Sequence, residues 1–164
     1  MSSPEEEFRQ FVATRAASLH RSAYLLCGDW HLANDLVQEA LAKTYRYWAR
    51  VQRADSPDAY VRRILFNEAN RHWRRHRNTV VSNRRDGAVT PDATDDVVRR
   101  DGLLQALLAL PQRQRATVVL RYLEGFSERE TATILQCGEG TVKSQTSRAL
   151  ASLKTHLERE ESRL

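Results

Sequence analysis

Apolar residues recur at intervals of three and four along most of this chain, which is the spacing of amphipathic helices. The first such run extends from about Glu5 to Leu26, and the Gly28 that follows favours helix termination. Asp29 can cap a second predicted helix, from Trp30 to about Trp48. The N-terminal part of the chain is therefore predicted to begin with two helices joined by a tight turn.

A third helix is predicted after the loop VQRADSPDA, from Pro57 to about Arg77. Ser56 can cap this helix, and proline suits the first helical position because the missing N–H has no partner there. The arginines of this helix are expected to face outward. The inward positions are Val61, Ile64, Leu65 and Ala69.

Helical spacing is lost between Asn78 and Arg100, where Asp, Thr, Gly and Pro accumulate. This composition predicts a flexible linker that is acidic toward its end. Helical spacing then resumes, with Pro111 starting a helix that Gly125 ends. Since no alternating strand pattern of any length occurs, we predict an all-α fold. It should consist of two small helical domains, residues 1–77 and 101–164, joined by the flexible linker of residues 78–100.

The stretch SERETATILQCGEGTVKSQTSRALASL contains two short helical patterns separated by Gly138 and Gly140. Ser127 and Glu130 have the spacing of a capping box at the start of the first pattern. The buried stripe of the second helix is predicted to be Val142, Ala149, Leu150 and Leu153. Two short helices around a glycine turn predict a helix-turn-helix, which can place its second helix in a DNA groove.

The charge of the chain is concentrated in one segment. The net charge is +5 over 164 residues, but residues 59–85 alone carry eight Arg against one Glu, a net +7. A short, strongly basic segment is typical of a phosphate-binding surface. No run of eighteen apolar residues occurs, and the acidic N-terminus lacks the apolar core of a secretory signal. These features favour a nucleic-acid-binding protein and argue against membrane insertion.

No pattern of catalytic or metal-binding residues stands out. The sequence has neither a glycine-rich phosphate loop nor a nucleophile signature. His72 and His76 have i,i+4 spacing but lie among arginines, which would repel a metal cation. Cys27 and Cys137 are far apart and are expected to be small buried side chains. We therefore predict no enzyme activity, no metal, no cofactor and no small-molecule substrate.

Three stretches, in this order, resemble the bacterial RNA polymerase sigma factors of the extracytoplasmic-function (ECF, group IV) type. DLVQEALAKTYRYW is similar to their core-polymerase-binding helix, and DSPDAYVRRILFNEANRHWRR to the loop and helix that read the −10 promoter element. The stretch from Leu110 to Lys154 is similar to their −35-reading domain. The resemblance implies an alternative-type sigma factor that binds core polymerase, directs it to −35 and −10 elements and assists promoter melting in transcription initiation.

The resemblance also implies roles for individual residues. The coiled coil of the largest polymerase subunit would be contacted by Asp35, Leu36, Gln38 and Glu39. The −10 element would be contacted by Gln52, Arg53, Asp55, Ser56, Tyr60, Arg62, Arg63, Asn67, Arg71 and Arg74. The −35 element would be contacted by Thr141, Lys143, Ser144, Gln145, Ser147 and Arg148.

Partners implied by the resemblance are core RNA polymerase, including its flap region, and promoter DNA; an inhibitory anti-sigma factor is common in the family. Location in the cytoplasm is implied, with association with the nucleoid when the chain is bound to polymerase. Thr131 stands where the family usually has a bulky aliphatic residue, so packing beneath the recognition helix is expected to differ.

Two other classes of protein share part of these features. A DNA-binding regulator could use the same helix-turn-helix, since TVKSQTSRAL also resembles the response-regulator type. That reading leaves DLVQEAL and the arginine-rich helix unexplained, and the N-terminal half has no βα receiver pattern. A helical protein-interaction adaptor with a solvated basic face is the other alternative. Only a sigma factor is expected to bind core polymerase and to support promoter-dependent transcription, so these two properties distinguish it from the regulator and from the adaptor.

Overall fold

The computed structural model describes residues 1–76 and 95–163, and these residues are helical with no β-strand among them. The all-α prediction is confirmed. Most of the predicted linker, residues 78–94, lies outside the described residues, and the fifth helix begins within its last part, at Asp95. The helices are α1 Pro4–Cys27, α2 Trp30–Arg46, α3 Trp48–Arg53, α4 Pro57–His76, α5 Asp95–Ala109, α6 Gln112–Val118 continuing as a π-helical turn Val119–Leu123, α7 Glu128–Leu135 and α8 Glu139–Glu161.

The turn between α1 and α2 forms as the sequence predicts. Gly28 has a φ of 75°, the left-handed conformation that glycine adopts most easily, and its N–H donates to the Tyr24 carbonyl at 2.7 Å. Asp29 caps α2, because its carboxylate accepts from the backbone N–H groups of His31 at 2.8 Å and Leu32 at 3.1 Å. These contacts set the antiparallel packing of α1 and α2.

The end of α2 differs from the prediction. The helix stops at Arg46 rather than near Trp48, because Tyr47 leaves helical geometry with φ −107° and ψ 26°. A short helix, α3, then covers residues that were predicted to be loop. The break turns Trp48 into the core, and Val51 is fully buried there. Burial of these two side chains explains why the chain stays helical up to Arg53.

The first four helices form one half of the molecule, with α1, α2 and α4 around a common core. Leu19, Val37 and Leu65, one from each of these helices, are completely buried. Ser56 caps α4, as predicted, through a 3.1 Å hydrogen bond from the backbone N–H of Ala59 to its hydroxyl. This half therefore presents the outer faces of α2 and α4 to solvent.

The second half consists of α5 to α8. Its own small core contains Leu107 of α5, Val118 of α6, and Ala149 and Leu153 of α8. The helix-turn-helix formed by α7 and α8 packs on α6.

The two halves also share a core. Ala116, Val119, Leu120 and Ile134 of the second half belong to the same cluster of buried apolar side chains as the core of α1, α2 and α4. Helices α4 and α7 lie against each other. The described parts of the chain thus pack as one body, with α4 beside the helix-turn-helix.

Candidate nucleic-acid and polymerase interface

The helix-turn-helix is built by local capping. The Ser127 hydroxyl accepts from the Glu130 N–H at 3.0 Å, and the Glu130 carboxylate accepts from the Ser127 N–H at 3.1 Å, which confirms the predicted capping box. The left-handed residue of the turn is Gln136, with a φ of 56°, rather than either glycine. Gly138 is extended and is the N-cap residue of α8. The turn therefore joins two helices that pack against each other, α7 and α8.

Helix α8 exposes the predicted −35-reading residues. Its buried stripe is Val142, Ala149 and Leu153, whereas Leu150, predicted to be buried, is 42% exposed because it lies at the edge of the stripe. Gln145 is half-buried and lines a groove facing α4. The exposed members of the predicted set are Thr141, Lys143, Ser144, Ser147 and Arg148. Cationic and hydroxyl side chains of this kind can bind phosphates and base edges.

Most of the basic side chains of α4 face solvent, with one exception. Arg62 was predicted to face outward but is only 6% exposed, because it reaches a carboxylate of the second half, Glu124. Tyr60 is half-buried. Trp73 is 36% exposed, and the guanidinium of Arg115 lies 5.4 Å from its ring centroid. The exposed members of the predicted −10 set on α4 are Arg63, Asn67, Arg71 and Arg74.

The segment before α4 is partly engaged in intramolecular contacts. Gln52 and Arg53 lie on α3 rather than in a loop and are exposed, and the Gln52 amide donates to the Glu7 carboxylate. Asp55 is exposed, while the Ser56 hydroxyl is used to cap α4. Between α3 and α4 only Ala54, Asp55 and Ser56 are non-helical. This short connection and the end of α3 form one polar rim next to the start of α4.

The acidic surface of α2 is separate from the basic surface of α4. Asp35, Gln38 and Glu39 are exposed on one side of the helix. Leu36, which was included in the predicted polymerase contact, is 6% exposed and packs in the core of the first half. Its role in this arrangement is to hold the helix, and the surface is made by its three polar neighbours.

Several side chains that shape this surface could not be assigned from the sequence. Glu124 and Arg115 are charged residues, and both have buried side chains. Tyr45 and Tyr47 are 49% and 45% exposed, and Arg50 lies 5.7 Å from the Tyr47 ring centroid. Exposed aromatic rings beside a cation are suited to stacking on bases, but spacing alone gave no reason to place them outside the core.

The histidines and cysteines show no metal-binding arrangement. Burial, with His76 and Arg75 nearby, lowers the pKa of His72, and the two imidazoles stack with their centroids 4.1 Å apart. Cys27 and Cys137 are free and half-buried, more exposed than expected. Burial raises the pKa of the Cys27 thiol. Within the described ranges, no group of three His, Cys, Asp or Glu could hold a metal ion, and no helix is long and apolar enough to cross a membrane.

Comparison with known families identifies both halves. Residues 11–79 match the family described as Sigma-70 region 2, and residues 100–153 match Sigma-70, region 4. The chain is 40% identical over 152 residues to the RNA polymerase sigma-E factor of Streptomyces coelicolor, covering 92% of this chain and 86% of that protein. It is 31% identical over 146 residues to the ECF RNA polymerase sigma factor SigM of Mycobacterium tuberculosis, covering 89% and 74%.

Solved structures show the same fold. The sigma factor RpoE from Bartonella quintana, crystallised with the anti-sigma factor NepR, superposes with a TM-score of 0.79 at 27% identity, covering 93% of this chain and 97% of that one. CnrH, solved in complex with the cytosolic domain of CnrY, gives a TM-score of 0.70 at 20% identity, covering 93% and 88%.

Proposed function

This chain belongs to the ECF sigma factors, which direct RNA polymerase to promoters. On that premise we propose which of its surfaces bind polymerase and which bind promoter DNA. The first half binds core polymerase and reads the −10 element, and the second half reads the −35 element. The proposed domains are residues 1–77 and 101–164, with residues 78–100 as the linker between them. The observation that carries the proposal is the separation of three exposed polar surfaces onto α2, α4 and α8.

The acidic surface of α2 is the proposed contact for the coiled coil of the largest polymerase subunit. Asp35, Gln38 and Glu39 project from a helix whose opposite side is anchored by Leu36 and Val37. A rigid helix loses little conformational freedom when its exposed face binds a partner. Carboxylates on such a face suit a partner helix that carries basic side chains.

The basic surface of α4, with the rim before it, is the proposed −10 reader. Arg63, Arg71 and Arg74 are exposed along α4, where they can neutralise phosphates and make binding salt-dependent. Extruding a base costs a few kcal/mol, so a pocket that accepts the extruded base also selects its identity. Residues Gln52 to Ser56 are the proposed pocket, and holding unpaired bases there would shift the promoter toward the melted state.

The N-terminal part of α8 is the proposed −35 reader. Lys143 and Arg148 are exposed in its N-terminal half, and the Lys143 ammonium lies 3.9 Å from the Glu128 carboxylate. A major groove admits such a helix with its first turns against the base edges. Ser144, Gln145 and Ser147 would then contribute hydrogen bonds to base edges or phosphates.

The proposed partners are core polymerase, through the coiled coil and the flap, and promoter DNA in the cytoplasm, where the bound complex associates with the nucleoid. An anti-sigma factor is a further proposed partner, supported by the similarity to a sigma factor solved with NepR. The chain would act by binding alone, with no catalytic chemistry and no cofactor.

Two substitutions test the division of labour. Asp35→Ala should weaken binding to core polymerase by about tenfold, or about 1.4 kcal/mol, while helicity is unchanged because Asp35 is exposed. Arg148→Ala should leave core binding intact and reduce transcription from a responsive promoter. Core affinity is measured by fluorescence anisotropy and promoter use by run-off transcription. Equal loss of core binding in both variants would count against the assignment.

A further inference from the structure

An aromatic pair lies where α1 meets α2. The rings of Tyr24 and Trp30 are stacked almost parallel, with their centroids 4.0 Å apart and an interplanar angle of 5°. Trp30 is nevertheless 57% exposed. Because one face of the indole lies on Tyr24, this exposure is mainly that of the opposite face and the ring edge. A tryptophan this exposed is uncommon, since burial of a large aromatic ring is favourable.

The local structure holds the Trp30 ring in place. Trp30 is the first residue of α2, directly after the Asp29 cap and the left-handed turn at Gly28. One helical turn further along α2, a ring nitrogen of His20 and the side-chain oxygen of Asn34 are 3.2 Å apart, so α1 and α2 are also joined next to the stack. A side chain that is already ordered loses little rotamer freedom on binding. The indole is thus presented to a partner at low entropic cost.

Trp30 lies on the same side of α2 as the proposed polymerase contact. Trp30, Asn34 and Gln38 are four residues apart, which places them in one row along the helix, and all three are exposed. Asp35 and Glu39 flank this row and are exposed as well. At about 1.5 Å per residue, the row from Trp30 to Gln38 is about 12 Å long. A partner helix that runs along α2 would therefore contact the indole and the acidic residues together.

Carboxylates near the stack favour a basic partner. Asp35 and Glu39 are exposed on α2, and Asp101 is exposed on α5. Asp101 is close enough to act on Tyr24, because burial, followed by the charges of Asp101 and Cys27, raises the pKa of the Tyr24 phenol. A cation over the face of a tryptophan is attracted by the ring quadrupole, and nearby carboxylates add to that attraction. Arginine combines a positive charge with a flat group that stacks on aromatic rings.

We propose that Trp30, held by Tyr24, is the aromatic anchor of the core-polymerase contact, and that an arginine of the coiled coil stacks on its open face. Tryptophan anchors of this kind carry a large share of the binding energy in many interfaces. The exposed polar residues of α2 then supply the contacts around the anchor. Tyr24 is a positioning residue, because it acts by fixing the indole. The inference rests on the proposed polymerase contact of α2.

Substitutions of Trp30 in the full-length chain test the anchor, with core polymerase binding measured by fluorescence anisotropy. Trp30→Leu keeps an apolar side chain but removes the aromatic face, so Kd should rise about tenfold. Trp30→Phe keeps an aromatic face, so Kd should stay within about threefold of the wild-type value. Trp73→Leu makes the matched change at the other exposed tryptophan, on α4, and should leave core affinity unchanged. Equal losses in Trp30→Leu and Trp30→Phe would overturn stacking by a cation.

Tyr24→Leu tests the positioning role, because it removes the stacked ring and keeps an apolar side chain at this half-buried position. Alone, it should raise the Kd for core polymerase about threefold. In the Trp30→Leu background it should add nothing, since the ring that Tyr24 positions is gone. Equal effects of Tyr24→Leu in the two backgrounds would mean that Tyr24 acts separately, and the positioning role would be refuted.

Oxidative footprinting of the wild-type chain tests the anchor without any substitution, and therefore decides if a variant loses its helical circular dichroism. Hydroxyl radicals should oxidise Trp30 about fivefold more slowly once core polymerase is bound, because an anchor is desolvated in the interface. Trp73 should be oxidised at an unchanged rate, as followed by mass spectrometry. An unchanged rate at Trp30 in the bound chain would overturn the anchor.

Asp35→Ala, measured in parallel, keeps a failure of the anchor distinct from a failure of the proposed function. If Asp35→Ala weakens core binding and Trp30→Leu does not, α2 is the polymerase contact and the anchor alone is removed. If neither substitution weakens core binding, the proposed contact of α2 is contradicted, and the anchor with it.

Discussion

Arg115 gives the most direct prediction about the stability of the packed halves. Its side chain is buried, and it donates to backbone carbonyls at the ends of two helices. They are the carbonyls of Leu107, Leu108 and Leu110 at 2.9 Å each, around the end of α5, and that of Leu26 at 2.5 Å, near the end of α1. Carbonyls at helix ends have no partner within the helix and carry the negative end of the helix dipole.

Arg115→Met keeps the length of the side chain and removes all of its donors. The Leu108 contact is partly exposed, so that carbonyl can turn to water, whereas the other three contacts are buried. A buried carbonyl without a donor costs about 1–3 kcal/mol. The Leu107 carbonyl keeps the Leu110 N–H as a donor at 3.1 Å, so two buried carbonyls, those of Leu26 and Leu110, lose theirs. Even at the lower limit, the free energy of unfolding should fall by about 2 kcal/mol, and Tm should fall by about 4–8 °C for a chain of this size.

The measurement is urea unfolding followed by circular dichroism at neutral pH. Arg113→Met is the matched control, because Arg113 lies on the same helix and is exposed; its effect should stay within about 0.5 kcal/mol. If Arg115→Met and Arg113→Met changed the free energy of unfolding equally, the capping role of Arg115 would be refuted.

Two further predictions concern buried side chains. The Thr131 hydroxyl is fully buried with no hydrogen-bond partner among the described residues, so Thr131→Val should stabilise the fold by about 1 kcal/mol in urea unfolding. Thr117→Val is the control and should destabilise the fold, because the buried Thr117 hydroxyl donates to the Arg113 carbonyl at 2.8 Å. A change in the free energy of unfolding of the same sign in both variants would contradict the reasoning. Burial, with the Asp29 charge adding to it, raises the pKa of the Cys27 thiol. In a Cys137→Ser background, iodoacetamide at about pH 8.5 should therefore alkylate Cys27 more slowly in the folded chain than in the chain unfolded in urea. Mass spectrometry follows the alkylation, and equal alkylation rates in the folded and the unfolded chain would argue against a buried Cys27 thiol.

Local features of the structure could be predicted from the sequence because local rules produce them. The cap at Asp29, the stop at Gly28 and the capping box at Ser127 each depend on residues within three or four positions. The all-α fold likewise follows from helical spacing along the chain. The same rules placed most exposed residues of α8 correctly; the exceptions are Leu150, which is exposed rather than buried, and Gln145, which is half-buried rather than exposed.

The buried charges could not be predicted, because their partners are distant in sequence. Helical spacing shows which face of a helix is apolar, but it does not show what covers the neighbouring face. Arg62 lies beside the apolar stripe of α4 and is buried only because Glu124, sixty-two residues away, reaches it. Leu36 is a similar case. The motif match suggested a contact with core polymerase, whereas its side chain packs in the core of the first half.

Thr131 stands where the family usually has a bulky aliphatic residue, and the structure shows what this difference changes. The sequence suggested altered packing beneath the recognition helix at this position. Thr131 is fully buried on α7, next to Ala132, which is 6% exposed. Its hydroxyl, rather than a change in volume, is the unfavourable feature, which is why valine is the informative replacement.

Reconstituted transcription tests the central claim most directly. Core RNA polymerase, supplied with the full-length chain and a promoter library, should produce run-off transcripts from a subset of promoters. Asp35→Ala should reduce these transcripts by weakening core binding, and Arg148→Ala should reduce them with core binding intact. Absence of a transcript from every promoter, together with absence of binding to core polymerase, would contradict the assignment of this chain as a promoter-directing subunit.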